Sequence, residues 1–600
     1  MNIGRAVRTL AGALLLLAAV RGDAATPPSG SIGPAAGSIA WTFGPVVAGQ
    51  FTDAGLEDTC PPGVCDNFDL TLSLSAPAAT FYVANTATLT IHYEWTSSAP
   101  TDMDVFALSP SGAHYGPGDP DGTVTGPGFA DIVITDPVDG LWHVREVAAL
   151  VPVPTAASAT VSFSVAPRTS PPDPKVKKGT PTYSIHAAPE NIAPSLGSTT
   201  AGQHGAGEPS IGVNWKTGAA FIEAGNHTLR VLFDDAGNAT WADKRSPFAR
   251  VSLDPILWAD SATGRVFESQ LDGACSTTSF TEDDGETWTP SEGCGTPAGP
   301  DHQTLGGGPY ASPKPVTKVN PYPNAVYYCS QGIVDAICAR SDDGGVTFGP
   351  GVPIYNLTQC GGLHGHVRVG PDGTAYVPNN SCGTQQGVAV STDNGLSWTV
   401  RPVTRSRAYR HGGDPSVAVG ANNTVYFGFA DADGHARIAL SHDHGATWSK
   451  PFDAGGTYGI QNTEFSEVIA GDDDRAAFAF LGSTTPGDDQ SSDFSGAWYL
   501  FVSTTYDGGR TWLTNVATPS DPVQRSCIWN GGGSNQCRNL LDFNDITVDR
   551  IGRVLVGFAD GCTGACVTDP AQNTFDALAT IARQATGKGL FSQFDGALPK

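Results

Sequence analysis

Two imidazoles flank a carboxylate at His442, Asp443 and His444, in the stretch SHDHGATW from Ser441 to Trp448. Side chains of these types, so closely spaced, could hold a metal ion. A second set is spread along the chain. Glu208, Asp254, Asp301, His302, His364, His366, Asp414, Glu464, Glu467, Asp542 and Asp545 stand just before or at the start of successive apolar runs. Carboxylates brought together from several segments suit two-carboxylate chemistry, in which a spacing of about 5–5.5 Å or about 6.5–9.5 Å sets the stereochemical outcome. His302, His364 and His366 with a nearby acid could also bind a metal, if three donors come within about 2.0–2.2 Å of one point. His364, His366 and Arg368 alternate, so on a strand they share one side.

The element behind the first set is a recurrent turn. TEDDGETW (Thr281 to Trp288), SDDGGVTF (Ser341 to Phe348), STDNGLSW (Ser391 to Trp398) and TYDGGRTW (Thr505 to Trp512) repeat the pattern of SHDHGATW. The shared residues are Ser/Thr-x-Asp-x-Gly-x-Ser/Thr-aromatic, and both histidines fall at variable positions, which argues against a metal. Asp and Ser/Thr side chains can bond nearby amides, Gly supplies a positive φ, and the aromatic returns to the core on the outgoing strand. Asp283, Asp343, Asp393, Asp443 and Asp507 are then hairpin residues. This is the Asp-box pattern, and the chain resembles the sialidase-type (BNR-repeat) β-propeller superfamily.

Arg5 and Arg8, an apolar run from Leu10 to Val20, and small residues at Ala24 and Ala25 read as a secretory signal peptide over residues 1–25. No later segment is long and apolar enough for a membrane span. A secreted protein, extracellular or periplasmic, is expected. High Gly and Pro (73 and 45), few charges and only 2 Met point to an all-β chain rich in turns. A net charge of −26 argues against nucleic acid as a partner. Asp472-Asp473-Asp474 is a solvated turn or a structural calcium loop; no other cofactor is implied. Twelve cysteines in an exported chain read as disulfides. Sequence neighbours suggest Cys60–Cys65, Cys275–Cys294, Cys329–Cys338, Cys360–Cys382, Cys527–Cys537 and Cys562–Cys566.

Residues 38–166 alternate like the strands of a small β-sandwich. The order DMDVFALSPSG (Asp102 to Gly112), ADIVITDPVDGLWHV (Ala130 to Val144) and a final strand resembles the pre-peptidase C-terminal family of accessory modules. Residues 167–195 form a Pro/Lys-rich linker. Residues 196–600 repeat at about 45–65 residues, in the range of propeller blades. Seven openings, from GEPSIGVN at Gly207 to NDITVDRIGR at Asn544, imply seven four-stranded blades, with six, the number in known sialidase domains, as the alternative. Thr182 to Pro189 (TYSIHAAP) is a candidate closing strand. In a propeller the Asp boxes lie on one face, and the loops carrying the second set converge on the other, around the channel mouth. Capping of neighbouring amides is the plainer role open to Glu208, Asp254 and Asp414.

The sialidase resemblance implies hydrolysis of a terminal sugar of a glycan or glycoconjugate. Family enzymes clamp a carboxylate with three arginines, attack with a Glu-activated tyrosine and use an aspartate as acid/base. The Arg-Ile-Pro motif that supplies the first arginine is absent. Arg368, Arg410 and Arg538 are candidate clamp residues, whereas Arg340, next to a box, reads as scaffold. Tyr310, Tyr409 and Tyr458 are candidate nucleophiles, Glu464 and Glu467 candidate activators, and Asp254 and Asp301 candidate acid/bases. Three functions stay open: a secreted sialidase-like glycoside hydrolase, a non-catalytic glycan- or protein-binding propeller, and a metal-dependent hydrolase or lyase. The oligomeric state is not legible.

Overall fold

A computed structural model describes residues 25–35, 37–48, 60, 65–78, 81–82, 85–112, 114–115, 124–135, 137–167, 173–192, 204–250, 254–272, 275–291, 301–315, 322–332, 335–408, 413–491, 494–531, 535–569 and 573–599. The expected leader, Cys294, Tyr409 and Arg410 lie outside the described residues. No helix among the described residues is long and apolar enough to cross a membrane. The chain divides into two units, Met1–Thr169 and Ser170–Lys600.

The first unit is built on two long antiparallel strands, Asn85–Leu108 and Gly140–Pro167. Their register shifts near Asp102 and Met103, and each strand serves two sets of neighbours. The first half of Asn85–Leu108 pairs with Val124–Thr135, and the second half of Gly140–Pro167 pairs with Ser38–Ala48. The other halves take Cys65–Leu72 and His114–Tyr115. The alternating pattern of the strands is met by one core. Trp41 stacks on Phe68 at 3.9 Å, and Ile91, Tyr93, Val105, Trp142 and Val161 are buried around them.

The second unit holds seven antiparallel sheets among the described residues. Each has a four-stranded up-and-down path, to which the sixth adds a fifth strand, Gln524–Arg525, paired with Ala497–Thr505. The innermost strands are Ile211–Val213, Ile256–Ala259, Asp301–Gly308, Arg368–Val369, Ser416–Val419, Asn462–Ala470 and Asp545–Val548. Each inner strand contacts the next, and Asp545–Val548 contacts Ile211–Val213, so the strands form a closed ring, a β-propeller. The seventh sheet takes its outermost strand from the start of the unit: Tyr183–Ala187 pairs with Leu578–Gln584. Second strands such as Ala325–Gln331 and Val425–Ala430 are buried along their whole length. They lie between neighbouring sheets, which is why they read as continuous apolar runs rather than alternating ones. A Cβ on Gly428 would come within 2.4 Å of Val468 on the next sheet, so glycine sets that approach.

The five recurrent turns share one bonding scheme. In the turn at Asp443, Oδ1 accepts from Ser441 Oγ and Thr447 N, both at 2.8 Å, and Oδ2 accepts from Thr447 Oγ1 at 2.7 Å. Gly445 N closes the turn on Ser441 Oγ at 2.8 Å. Asp283, Asp343, Asp393 and Asp507 repeat this set. Bonding to Thr447 pulls the Asp443 carboxyl down to about 2. The residue after each aspartate takes a left-handed φ: Asp284 58°, Gly344 74°, Asn394 61°, His444 59° and Gly508 71°. His444 bonds Tyr376 Oη at 2.8 Å and His442 bonds Thr424 Oγ1 at 3.1 Å, so neither joins a ligand set. Asp472 and Asp473, the candidate calcium loop, accept from the backbone amides of Ser592 and of Asn422 and Thr424.

Five expected disulfides are present: Cys60–Cys65, Cys329–Cys338, Cys360–Cys382, Cys527–Cys537 and Cys562–Cys566. They fit an extracellular protein.

Candidate functional site

Two devices of the inner strands aim side chains into the ring. Asp301–Gly308 carries a register shift between Asp301 and Gln303, and His302 at that shift has a φ of 43°. Asn462–Ala470 carries another between Glu464 and Glu467, where Phe465 has a φ of 55°. Both are β-bulges, which re-aim a side chain at the cost of backbone strain. Glu208, in the segment leading to the first inner strand, also has a positive φ, 55°.

The first group draws on six sheets. His302 Nε2 meets Asp414 Oδ2 at 3.0 Å, linking the third sheet to the fifth, and both side chains are 4% exposed. The His364 ring stands perpendicular to that of His302 at 6.2 Å. Burial, and then His302, push the His364 imidazole down to about 3, so it is neutral. Glu208 is fully buried. That burial, followed by the charges of Asp254 and Asp542, holds its carboxyl well above the usual range. Asp542 is itself gripped by Arg538 through two bonds, one of 2.7 Å. Burial also raises Asp414, against the pull of His302.

The second group crosses the middle of the ring. Arg368 Nη2, on the fourth sheet, lies 3.1 Å from Asp545 Oδ1 on the seventh and 4.0 Å from Glu467 Oε2 on the sixth. His366 Nδ1 lies 3.7 Å from Asp545 Oδ1 and 3.8 Å from Glu467 Oε1. Sheets four and seven are not neighbours, so these contacts span the channel. Asp545 also accepts from Ser210 Oγ at 2.8 Å and Ile211 N at 3.1 Å, and Glu467 accepts from Ser416 Oγ at 2.9 Å. Burial drives Glu467 up to about 7, opposed by His366 and Arg368. Burial also acts on Asp545, but His366 and Arg368 outweigh it and the carboxyl is held low. His366 is raised, since Glu467 and Asp545 overcome the burial of its ring.

Glu464 belongs to neither group. It accepts from Gln490 Nε2 at 3.3 Å and Asn530 Nδ2 at 2.6 Å, beside the loop held by Cys527–Cys537.

Most of the residues expected around the mouth are therefore brought together across sheets. Asp301 opens its strand, and Tyr409 and Arg410 lie outside the described residues. Tyr310 is a correction. The third inner strand runs on to Gly308, so Tyr310 emerges at its far end, where Asp342 and Arg340 act on its hydroxyl and Lys314 lies 4.8 Å over its ring. That is the face of the recurrent turns, away from His302. Tyr458 is also displaced, to the rim, where its hydroxyl donates to Lys175 O at 2.9 Å. Arg340 is scaffold as expected, bonding Asp342 at 2.8 Å.

Two buried tyrosines escaped the sequence reading. Tyr355 Oη donates to Gln331 at 2.9 Å, accepts from Asn379 at 3.1 Å, and feels the charges of His302 and Asp414. Tyr328 bonds the Ser276 hydroxyl, and its own hydroxyl is pushed up to about 12 by burial. They lie on outer and second strands, where no opening marks them. A cluster of three converging arginines facing a tyrosine–glutamate pair does not occur among the described residues; Arg368 and Arg538 each face carboxylates instead.

No protein-family model matches the sequence, and no curated protein is significantly similar to it. Among solved structures, the chain is similar to a protein of unknown function from Dyadobacter fermentans, at 14% identity, covering 67% of this chain and 99% of that one, with a TM-score of 0.35. It is also similar to a leech intramolecular trans-sialidase, at 11% identity over 82% of this chain and 93% of that one, with a TM-score of 0.29. A third is an ulvan lyase of polysaccharide lyase family PL25, at 12% identity over 67% of this chain and all (100%) of that one, with a TM-score of 0.34.

Proposed function

We propose that this chain is an exported glycoside hydrolase that works at the channel mouth by acid–base chemistry. The observation that carries the reading is the His302–Asp414 pair, 3.0 Å apart across two non-adjacent sheets, with the buried Glu208 carboxyl in the same group. Asp414 orients the imidazole of His302, which takes a proton from water or a sugar hydroxyl. Glu208, whose carboxyl burial holds above the usual range, is the group we assign to return a proton to a leaving oxygen. A glycan substrate accords with the Asp-box resemblance and with a polar, net acidic channel. Sialic acid is disfavoured as the sugar, because the guanidiniums of Arg368 and Arg538 are already engaged by Asp545 and Asp542.

The test is turnover of a panel of aryl glycosides and oligosaccharides by the purified protein. His302→Ala and Asp414→Asn are expected to lower kcat/KM by about 100-fold or more, with circular dichroism unchanged. No turnover on any substrate, with retained glycan binding, would favour a second reading, a non-catalytic glycan-binding propeller. The burial of Glu208 and Asp414 (0% and 5% exposed) supports that alternative.

A further inference from the structure

His366, Glu467 and Asp545 offer one imidazole nitrogen and two carboxylate oxygens, all within 4.8 Å of one another. Two edges of this triangle are 3.7 and 3.8 Å, close to the separation of ligands that share a first-row metal ion at about 2.0–2.2 Å each. An acidic cluster alone would not make a site. Here the His366 side chain is 4% exposed, and neither ring nitrogen has a hydrogen-bond partner. Nδ1 faces both carboxylates beyond hydrogen-bond distance. Phe543 packs edge-on against the ring at 4.7 Å and fixes its orientation. A buried imidazole without a bonding partner is costly, unless a ligand supplies one.

We propose that these three residues bind a divalent first-row metal ion, Zn²⁺ by preference, with Arg368 occupying the cation's place when the metal is absent. Arg368 already sits where positive charge is wanted, 3.1 Å from Asp545 and 4.0 Å from Glu467. Its side chain is 20% exposed, against 1% to 4% for the three donors, so it is the member of the group that can swing toward solvent. One guanidinium balances one carboxylate; a divalent ion balances both. The imidazole nitrogen selects Zn²⁺ over Ca²⁺ or Mg²⁺, which take oxygen donors. Three protein ligands leave a fourth position for water, the arrangement of catalytic rather than structural zinc. The inference is independent of the reading above, since it is judged by metal uptake and not by turnover.

Titration of the full chelator-treated chain with ZnCl₂ in a calorimeter, repeated with CaCl₂, tests it. The expected result is one equivalent of Zn²⁺ per chain and no comparable Ca²⁺ uptake. Glu467→Gln and His366→Gln should weaken Zn²⁺ binding at least 10-fold, whereas Arg368→Met, which removes the competing cation, should tighten it. If the first two variants fail to fold, Arg368→Met decides. The proposal is overturned if neither the unaltered protein nor Arg368→Met takes up stoichiometric Zn²⁺. It is equally overturned if uptake is indifferent to all three substitutions.

Discussion

Glu146 shows how far burial alone can move a side chain in this protein. It lies on Gly140–Pro167, opposite Asp66 on the neighbouring strand, and is 1% exposed. Burial, then the charge of Asp66, raises its carboxyl to about 8, against a smaller opposing contribution from Tyr93. The folded-state value is above the unfolded one, so the stability that Glu146 contributes is fully present below about pH 4.5. It is lost as pH rises through 8, because the unfolded chain releases the proton first. Glu146→Gln keeps the shape and removes the titration. Its melting temperature is therefore expected to gain on the unaltered protein as pH is raised from 5 to 8. A constant difference across that range would show that Glu146 does not hold its proton. At the candidate site the same effect raises the carboxyl of Glu208, a shift that no sequence pattern announces.

At the scale of single elements, the recurrent turns and the inner strands differ in how openly they are written. The turns are local: every bond of the Asp443 set joins residues within six positions, so the spacing of Ser441, Asp443, Gly445 and Thr447 is itself the structure. The bulges at His302 and Phe465 depend on pairing with a second strand and leave no local mark. The length of Asp301–Gly308 was equally hidden, and it is this length that carries Tyr310 away from the mouth. The left-handed residue of each turn gives a direct check. His444 has a φ of 59°, where a β-branched side chain is strained by about 1–2 kcal/mol, whereas His442 has no positive φ. His444→Val should lower the melting temperature clearly, His444→Asn much less, and His442→Val least. Equal losses for the two valine variants would mean that the backbone does not set the choice of residue there.

For the molecule as a whole, the repeat made the ring legible, and the cross-channel partners had to wait for coordinates. His364, His366 and Arg368 could be placed on one side of a strand, but the pairing of Arg368 with Asp545 joins residues 177 positions apart. Ring closure yields its own prediction. A chain lacking residues up to Ala187 leaves the edge of Leu578–Gln584 unpaired and should melt lower and less cooperatively. A synthetic Thr182–Pro189 peptide should restore part of the loss. An unchanged melt would show that the seventh sheet stands without its borrowed strand.

That borrowed strand also sets an order of events. Tyr183–Ala187 is made early, and its partner, Leu578–Gln584, is the third strand of the last sheet. While the polypeptide is being synthesised, the clasp has nothing to hold. The circle can therefore snap shut only after Leu578–Gln584 has emerged. A polypeptide stopped short of Leu578 leaves Tyr183–Ala187 without its partner and exposes an unfinished margin.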